Sequence, residues 1–219
     1  GDGAGEQILL IFIMCCSLVQ NVGYMLELTA PTVEAAVAAV TVENVGSTFV
    51  PLCYCWFTYT YCYARPPKKL LRALEVINFF VLPTVFFNWN GLFYREFQWL
   101  STADGFHYVS ITYGPLYTFF LITRIVIPYV LSIYTLARAV RGRLDQQVSR
   151  QYWTILLITS LPVAVLVAYV FKLTAVFDLT PVTLAITMAM VVIVVWSRRN
   201  YDFRRLAAEK VLESLGDGV

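Results

Sequence analysis

Residues 179–197 read LTPVTLAITMAMVVIVVWS, a run of 19 residues without one charged side chain. A helix of roughly 20 apolar residues crosses the hydrocarbon core of a bilayer, so this run predicts a transmembrane helix. Five similar runs precede it, at 7–28, 44–63, 70–88, 113–137 and 152–171. None of the six alternates strictly between polar and apolar residues, as the strands of a membrane barrel do. We therefore predict an all-α, polytopic helix bundle with six transmembrane helices.

The composition of the whole chain agrees with this fold class. Of its 219 residues, 59% are hydrophobic and 14% are charged, with a mean hydropathy of +0.68, whereas soluble domains carry about 25% charged residues. These values exclude a secreted disulfide scaffold, a disordered chain and an ordinary cytosolic enzyme. The net charge of +2 is too small to indicate nucleic acid as a partner. The single histidine, His107, excludes a bis-histidine haem site within one chain.

The basic residues predict the orientation of the bundle, because Lys and Arg collect in cytoplasmic connections. Thirteen of the 16 basic residues follow the second, fourth and sixth spans, which end on the same side: Arg65, Lys68, Lys69, Arg72, Arg138, Arg141, Arg143, Arg150, Arg198, Arg199, Arg204, Arg205 and Lys210. We expect this side to be the cytoplasm and both termini to lie there. Residues 1–7 (GDGAGEQ) carry no basic residue, which favours a chain that begins late, after a preceding helix and its basic loop.

The C-terminal segment, residues 197–219, is long for a terminus and is typical of a helix. Its apolar side chains form a roughly helical stripe: Phe203, Leu206, Val211, Leu212 and Leu215. Gly216-Asp217-Gly218 is a helix stop. We interpret residues 1–196 as a transmembrane sensor bundle and residues 197–219 as a cytoplasmic signalling helix that links it to an output domain. The alternative is a basic helix lying on anionic lipid.

Short motifs in a fixed order carry a resemblance to a known family. They are Tyr24-Met25-Leu26-Glu27-Leu28, Pro51, Leu92-Phe93-Tyr94, Arg150-Gln151, Pro162 and, as the best single match, Asp178-Leu179-Thr180-Pro181. With them the chain resembles the N-terminal seven-transmembrane sensor region of prokaryotic histidine kinases and related multidomain signalling proteins. The tail from Glu213 to Val219 looks like the start of a PAS-type sensor domain. One departure is Asn88-Trp89-Asn90, where family members often carry a histidine.

The resemblance implies a signal-perception module of the prokaryotic plasma membrane. Such a module passes an outer-side or intramembrane stimulus to a histidine kinase of a two-component system, or to a cyclic-dinucleotide enzyme. From the residues we expect no cofactor and no catalytic residue in this chain, a lipid bilayer around it, an unknown small-molecule or lipid ligand, and a homodimer in the full-length protein. The alternative function is a small-molecule or ion transporter or channel module, although the two halves of the chain show no internal repeat.

Arg124 is the most informative polar residue. It lies about 11 residues into its span, roughly 17 Å deep at about 1.5 Å per residue, where a charge costs at least about 2.5 kcal/mol. It therefore needs a partner, and we expect Glu75, with Asn78 one turn further along, to supply one. The arrangement is either a structural clamp between helices or an anion-binding or charge-sensing group.

Other polar and aromatic residues lie near the outer ends of the spans, or in the aromatic-rich connection 89–112, which is either an interfacial belt or a lid over a ligand cavity. We take the following as candidate ligand-binding residues: Glu27, Asn44, Asn88, Asn90, Tyr94, His107, Tyr113, Tyr117, Arg124 and Asp178. For Asp178, a role as helix N-cap before Pro181 is the simpler interpretation.

Prolines and cysteines complete the set of notable residues inside the spans. Pro51, Pro83, Pro128 and Pro162 each disturb a helix and either shape it or open a cavity and a hinge beside it. The five cysteines all lie in the first two spans: Cys15, Cys16, Cys53, Cys55 and Cys62. We expect them to be packing residues rather than a disulfide or a metal site. The last span has no lysine for a retinal Schiff base.

Overall fold

The structure is a computed structural model that describes residues 3–101, 107–142, 146–170 and 178–197. Within these ranges six helices are long and apolar enough to cross a membrane. They are α1 (Gly3–Leu28), α2 (Val33–Tyr61), α3 (Lys68–Phe87), α4 (Pro115–Gly142), α5 (Gln146–Val170) and α6 (Thr180–Ser197). The predicted all-α bundle is confirmed.

Helix α2 begins earlier than its apolar run. Its N-cap is Thr32, whose side-chain oxygen accepts a hydrogen bond from the backbone N–H of Ala35 at 3.3 Å, and Glu34 lies in the first turn, where a negative charge favours the helix dipole. The Ala/Val-rich residues that follow then continue without interruption into the membrane span.

A β-hairpin joins α3 to α4 and was not predicted. Strand β1 (Tyr94–Ser101) pairs antiparallel with β2 (His107–Tyr113), with Tyr94 opposite Tyr113, Ser101 opposite His107, and an irregularity between Tyr94 and Glu96. The sequence analysis treated this stretch as an aromatic-rich connection. The end of the bundle that carries the strands is called the hairpin end below.

Asn88 fixes the hairpin to α3. It ends the helix in the left-handed conformation (φ 38°), which Asn tolerates better than most residues. Its side-chain oxygen accepts hydrogen bonds from the backbone N–H groups of Phe93 (3.3 Å) and Tyr94 (2.9 Å). Its amide nitrogen donates to the carbonyl of Tyr94 at 2.8 Å. One side chain therefore satisfies three backbone groups where the chain turns from helix to strand.

Two glycines bring α1 and α2 into close contact. A Cβ at Gly23 would overlap the backbone of Glu43, and a Cβ at Gly46 would overlap the backbone of Gln20. Small residues of this kind let membrane helices pack backbone against backbone. The close contact at these glycines lies near the hairpin end. It brings the polar side chains beside the glycines close together there.

The main core joins α1, α2, α4, α5 and α6. Aromatic side chains form its centre, among them Tyr54, Phe57, Tyr61, Tyr129 and Tyr152. The Tyr54 hydroxyl is hydrogen-bonded to the hydroxyl of Thr159. From α6, the core receives Leu184, Met188, Val191 and Val195. The last helix is thus packed along its length on the other four.

Helix α4 contains a π-helical turn at Ile122–Val126. The backbone N–H of Ile127 bonds to the carbonyl of Ile122, five residues back. Pro128 explains the wide turn, because proline has no N–H to give to the carbonyl of Arg124 and its ring crowds that carbonyl. The widened turn holds Arg124, and π-turns inside helices are frequent at functional sites.

Large apolar side chains cover the outside of the bundle. Phe80 is 71% exposed and Leu157 63%, values that would be unfavourable in water but suit a surface covered by lipid tails. The protein is a multi-pass membrane protein whose helices contact the lipid bilayer.

Candidate functional site

A cavity of about 1070 Å³ lies at the hairpin end of the bundle. Its walls come from α1, α2, β2, α4, α5 and α6, so five helices and one strand meet there. Pro51 of α2 and Pro162 of α5 both line it. Two of the four prolines inside the spans are therefore beside a cavity, which is one of the roles considered from the sequence.

Arg124 lies in the wall of this cavity and is 5% exposed. Its Nη1 donates hydrogen bonds to the Oδ1 of Asn44 (3.2 Å) and to the hydroxyl of Ser47 (3.0 Å), both on α2. Its guanidinium carbon lies 4.6 Å from the centre of the Phe120 ring, a stacking that suits arginine. Among the described residues Nε has no hydrogen-bond partner.

The expected pairing of Arg124 with Glu75 and Asn78 is wrong. Glu75 instead accepts a hydrogen bond from the indole Nε1 of Trp56 at 2.7 Å, which ties α3 to α2. Asn78 is fully buried, and its amide has no hydrogen-bond partner among the described residues. The prediction paired Arg124 with Glu75 and Asn78 because these residues lie at similar depths in the membrane. Depth alone does not show which helices face each other. Arg124 faces α2 rather than α3.

Asn44 connects the arginine to the hairpin. Its amide nitrogen donates to the carbonyl of Val40 (3.0 Å) and to the hydroxyl of Tyr94 (2.9 Å). Burial raises the pKa of Tyr94 above its ordinary value, so this phenol stays neutral as a hydrogen-bonding group. A continuous polar chain runs from Arg124 through Asn44 to the first residue of β1.

Three carboxyl groups line the same cavity, namely Glu27 of α1, Glu43 of α2 and Asp178 before α6. Asp178 acts electrostatically on both glutamates, and Arg124 acts electrostatically on Glu43. Asp178 also accepts a hydrogen bond from the backbone N–H of Thr180 at 2.8 Å. It therefore makes the expected cap-like contact at the start of α6 and also faces the cavity.

Aromatic rings complete the walls. Tyr113 and Tyr117 are stacked with ring centroids 3.6 Å apart, and Tyr24, Tyr108 and Tyr129 also line the cavity. The site thus combines a buried cation, three carboxyl groups and several phenol rings in the lining of one cavity. This set can hold a polar organic molecule by charge, hydrogen bonds and ring contacts.

The structure brings some, but not all, of the predicted ligand-binding residues together at the cavity. Six line the cavity: Glu27, Asn44, Tyr113, Tyr117, Arg124 and Asp178. Tyr94 is joined to it through Asn44. Asn88 anchors the hairpin and Asn90 is an exposed residue of the turn that follows α3, and neither lines this cavity. His107 begins β2, and its side chain lies outside the described set.

Glu43, Gln20 and Ser47 were missed as site residues. Glu43 lay outside the predicted spans because the second apolar run was begun at residue 44. The available signal was the pair of glycines inside apolar runs, Gly23 and Gly46, which indicates a tight helix pair. Gln20 and Glu43 each lie three positions before one of these glycines, and residues at that spacing lie on the same face of a helix. This spacing does not indicate Ser47, which directly follows Gly46.

The predicted signalling helix, with Phe203, Leu206, Val211, Leu212 and Leu215, falls outside the described residues. Within them, α6 is the element that runs from the cavity toward that segment. Its first turns carry Thr180 and Leu184, which line the cavity, and Leu184 also belongs to the core.

A bundle of six helices long and apolar enough to span the membrane, with a cavity at one end lined by charged and tyrosine side chains, defines a multi-pass membrane module. Comparison with protein families identifies which module it is. Residues 2–204 match the family described as the N-terminal 7TM region of histidine kinase, and the chain belongs to that family. It is a transmembrane sensory module. Searches of curated proteins and of solved structures found no match.

Proposed function

We propose that this chain perceives a stimulus at the hairpin end and passes it through α6 to a cytoplasmic output domain of histidine kinase or cyclic-dinucleotide enzyme type. The observation that carries the proposal is the position of α6. The same helix lines the cavity through Thr180 and Leu184 and leads into residues 198–219. A ligand in the cavity therefore contacts the element that continues toward the output.

The core supports transmission along α6. Met188 and Val191 are buried in the cluster that joins α6 to α1, α2, α4 and α5, and the Thr187 hydroxyl donates to the carbonyl of Ile158 on α5 at 3.3 Å. Packed cores of this kind respond to a change at one end by shifting as a unit rather than by local deformation. Binding shifts such an equilibrium only when the ligand prefers one of the two states.

The orientation in this proposal follows the basic residues. Arg65, Lys68 and Lys69 lie in or beside the connection between α2 and α3, at the end opposite the hairpin. That end is then cytoplasmic and the cavity opens toward the outer half of the membrane. The chain itself binds and transmits, and the catalytic step belongs to the output domain.

We further propose that residues 197–219 pair with the same segment of a second copy, since the apolar stripe from Phe203 to Leu215 is too narrow for a buried helix and too apolar for a solvated one. The test is a cysteine walk from Phe203 to Leu215 in the complete protein. Cross-links with a helical period, and a changed pattern when the cavity carries Glu43→Gln, are expected. Absence of cross-links in a protein whose output is still active would contradict transmission through a paired helix.

A further inference from the structure

The unsatisfied donors of Arg124 are the first observation that points to a ligand. Of its five N–H groups, the hydrogen bonds to Asn44 and Ser47 both use Nη1. Nε has no partner among the described residues. The side of the guanidinium formed by Nε and Nη2 is the face that binds a carboxylate or phosphate with two parallel hydrogen bonds. A buried arginine with an unpartnered donor is costly unless another group, such as an anion, completes its hydrogen bonds.

The carboxyl groups supply the opposite chemistry in the same space. Glu27, Glu43 and Asp178 all line the cavity, and ionised carboxyl groups in one cavity are stabilised when a cation lies among them. Gln20 is 5% exposed, lines the cavity, and has an Oε1 without a hydrogen-bond partner among the described residues. That oxygen is one more acceptor for an N–H donor.

The kind of cation is indicated by what surrounds it. No group of three or more His, Cys, Asp or Glu side chains within the described part of the chain has the arrangement of a metal site. Tyrosine rings line the cavity instead, including Tyr24 and Tyr108, and ring faces attract organic ammonium groups. Apolar side chains such as Leu121, Ile125 and Leu166 complete the wall, which leaves room for a hydrophobic part of the ligand.

We propose that the cavity binds an amphiphilic zwitterion, a molecule whose carboxylate or phosphate pairs with Arg124 and whose ammonium group lies among Glu27, Glu43 and Asp178. This proposal adds the chemical class of the ligand to the proposed function. It rests on the proposed function only for the role of the ligand as stimulus. Two sources share this chemistry, a free amino acid with an apolar side chain and the headgroup of an aminophospholipid.

The test measures binding to the protein in nanodiscs of phosphatidylglycerol, by calorimetry and thermal unfolding. The probes are the proteinogenic amino acids and phosphoethanolamine. Each zwitterion that binds is compared with analogues that lack one charge, which for L-phenylalanine are phenethylamine and 3-phenylpropionate. The zwitterion should bind at least tenfold more tightly than either analogue. Binding by amino acids identifies a free solute as the source, and binding by phosphoethanolamine, with stabilisation by added phosphatidylethanolamine, identifies a lipid.

Variants of the protein test which residues bind each charged group of the ligand. Arg124→Gln should lower zwitterion affinity at least tenfold and leave the amine analogue unaffected. Glu27→Gln, which keeps the size of the side chain, should lower the affinity for the zwitterion and the amine but not for the acid. Glu34→Gln, on the exposed first turn of α2 and outside the cavity, is the control. Thermal unfolding of each variant shows that it is folded.

The proposal is overturned if no probe binds at 10 mM (roughly the millimolar limit of weak affinities) or if the amine analogues bind as well as the zwitterions. It is also overturned if Arg124→Gln and Glu27→Gln have the same effect on the amine and acid analogues. Failure of the proposed function looks different. In that case a zwitterion binds to the chain but the output of the complete sensor does not change.

Discussion

At the scale of single residues, the site depends on how one buried charge is held. The depth of Arg124 in its span predicted that it needs a partner, and the structure shows hydrogen-bond partners for it. Its partners are neutral groups of α2, Asn44 and Ser47, rather than the acid of α3. The sequence does not show which of two helices supplies the partner when both carry polar residues at the same depth. Packing over the whole bundle decides which helix faces contact each other.

A double-mutant cycle distinguishes these partners. Arg124→Met combined with Ser47→Ala should show a coupling energy of about 1 kcal/mol, because the two side chains share a hydrogen bond. Arg124→Met combined with Glu75→Gln should be additive within about 0.5 kcal/mol, because they share none. The measurement is unfolding in detergent or bicelles. Coupling to Glu75 and none to Ser47 would show that the arginine faces α3.

At the scale of elements, the six helices could be predicted because each run is long, apolar and poor in charged residues. The hairpin could not be predicted in this way, because its strands are short and lie in a segment where aromatic residues are also typical of the membrane interface. The π-turn of α4 is likewise invisible to periodicity, although Pro128 is the residue that indicates it. Asp178 was identified from local chemistry alone, since an acid before Leu-Thr-Pro at a helix start is a local signal.

The hairpin should depend on Asn88. Asn88→Gly keeps the left-handed backbone accessible but removes three hydrogen bonds to Phe93 and Tyr94. We expect amide exchange in 94–101 and 107–113 to speed up about tenfold or more, since each lost bond to a buried group costs about 1 kcal/mol or more. Asn90→Gly, at a neighbouring residue with positive φ, is the control and should leave exchange unchanged. Equal effects of the two changes would mean that the backbone conformation, and not the side chain, anchors the hairpin.

The contact between α1 and α2 should depend on Gly46. Gly46→Ala places a methyl group against the backbone of Gln20 and should destabilise the protein by about 1–3 kcal/mol. Gly142→Ala is a matched change where an added Cβ meets nothing, and it should stay within about 0.5 kcal/mol. Thermal or denaturant unfolding of both variants in the same detergent gives the comparison. A neutral Gly46→Ala would show that the two helices are not held together at this point.

At the scale of the whole molecule, orientation and signal direction are the properties on which function depends. Orientation is tested by labelling single cysteines in cells with a membrane-impermeant maleimide. A cysteine at Ser101, an exposed residue at the end of β1, should react from outside. A cysteine at Gln146, the first residue of α5, should react only after the cells are opened. Labelling of both from outside would contradict the positive-inside assignment.

The central claim is that the polar cavity controls the output through α6. The most direct measurement is the output activity of the complete sensor with Glu43→Gln and with Arg124→Gln, each compared with Glu34→Gln and each shown to be folded. Both cavity changes should shift basal output at least about fivefold, in either direction, because a change of about 1 kcal/mol in a two-state balance alters the populations by that factor. The control should match the unaltered protein. Folded cavity variants with unchanged output and an unchanged response to stimulus would contradict the claim.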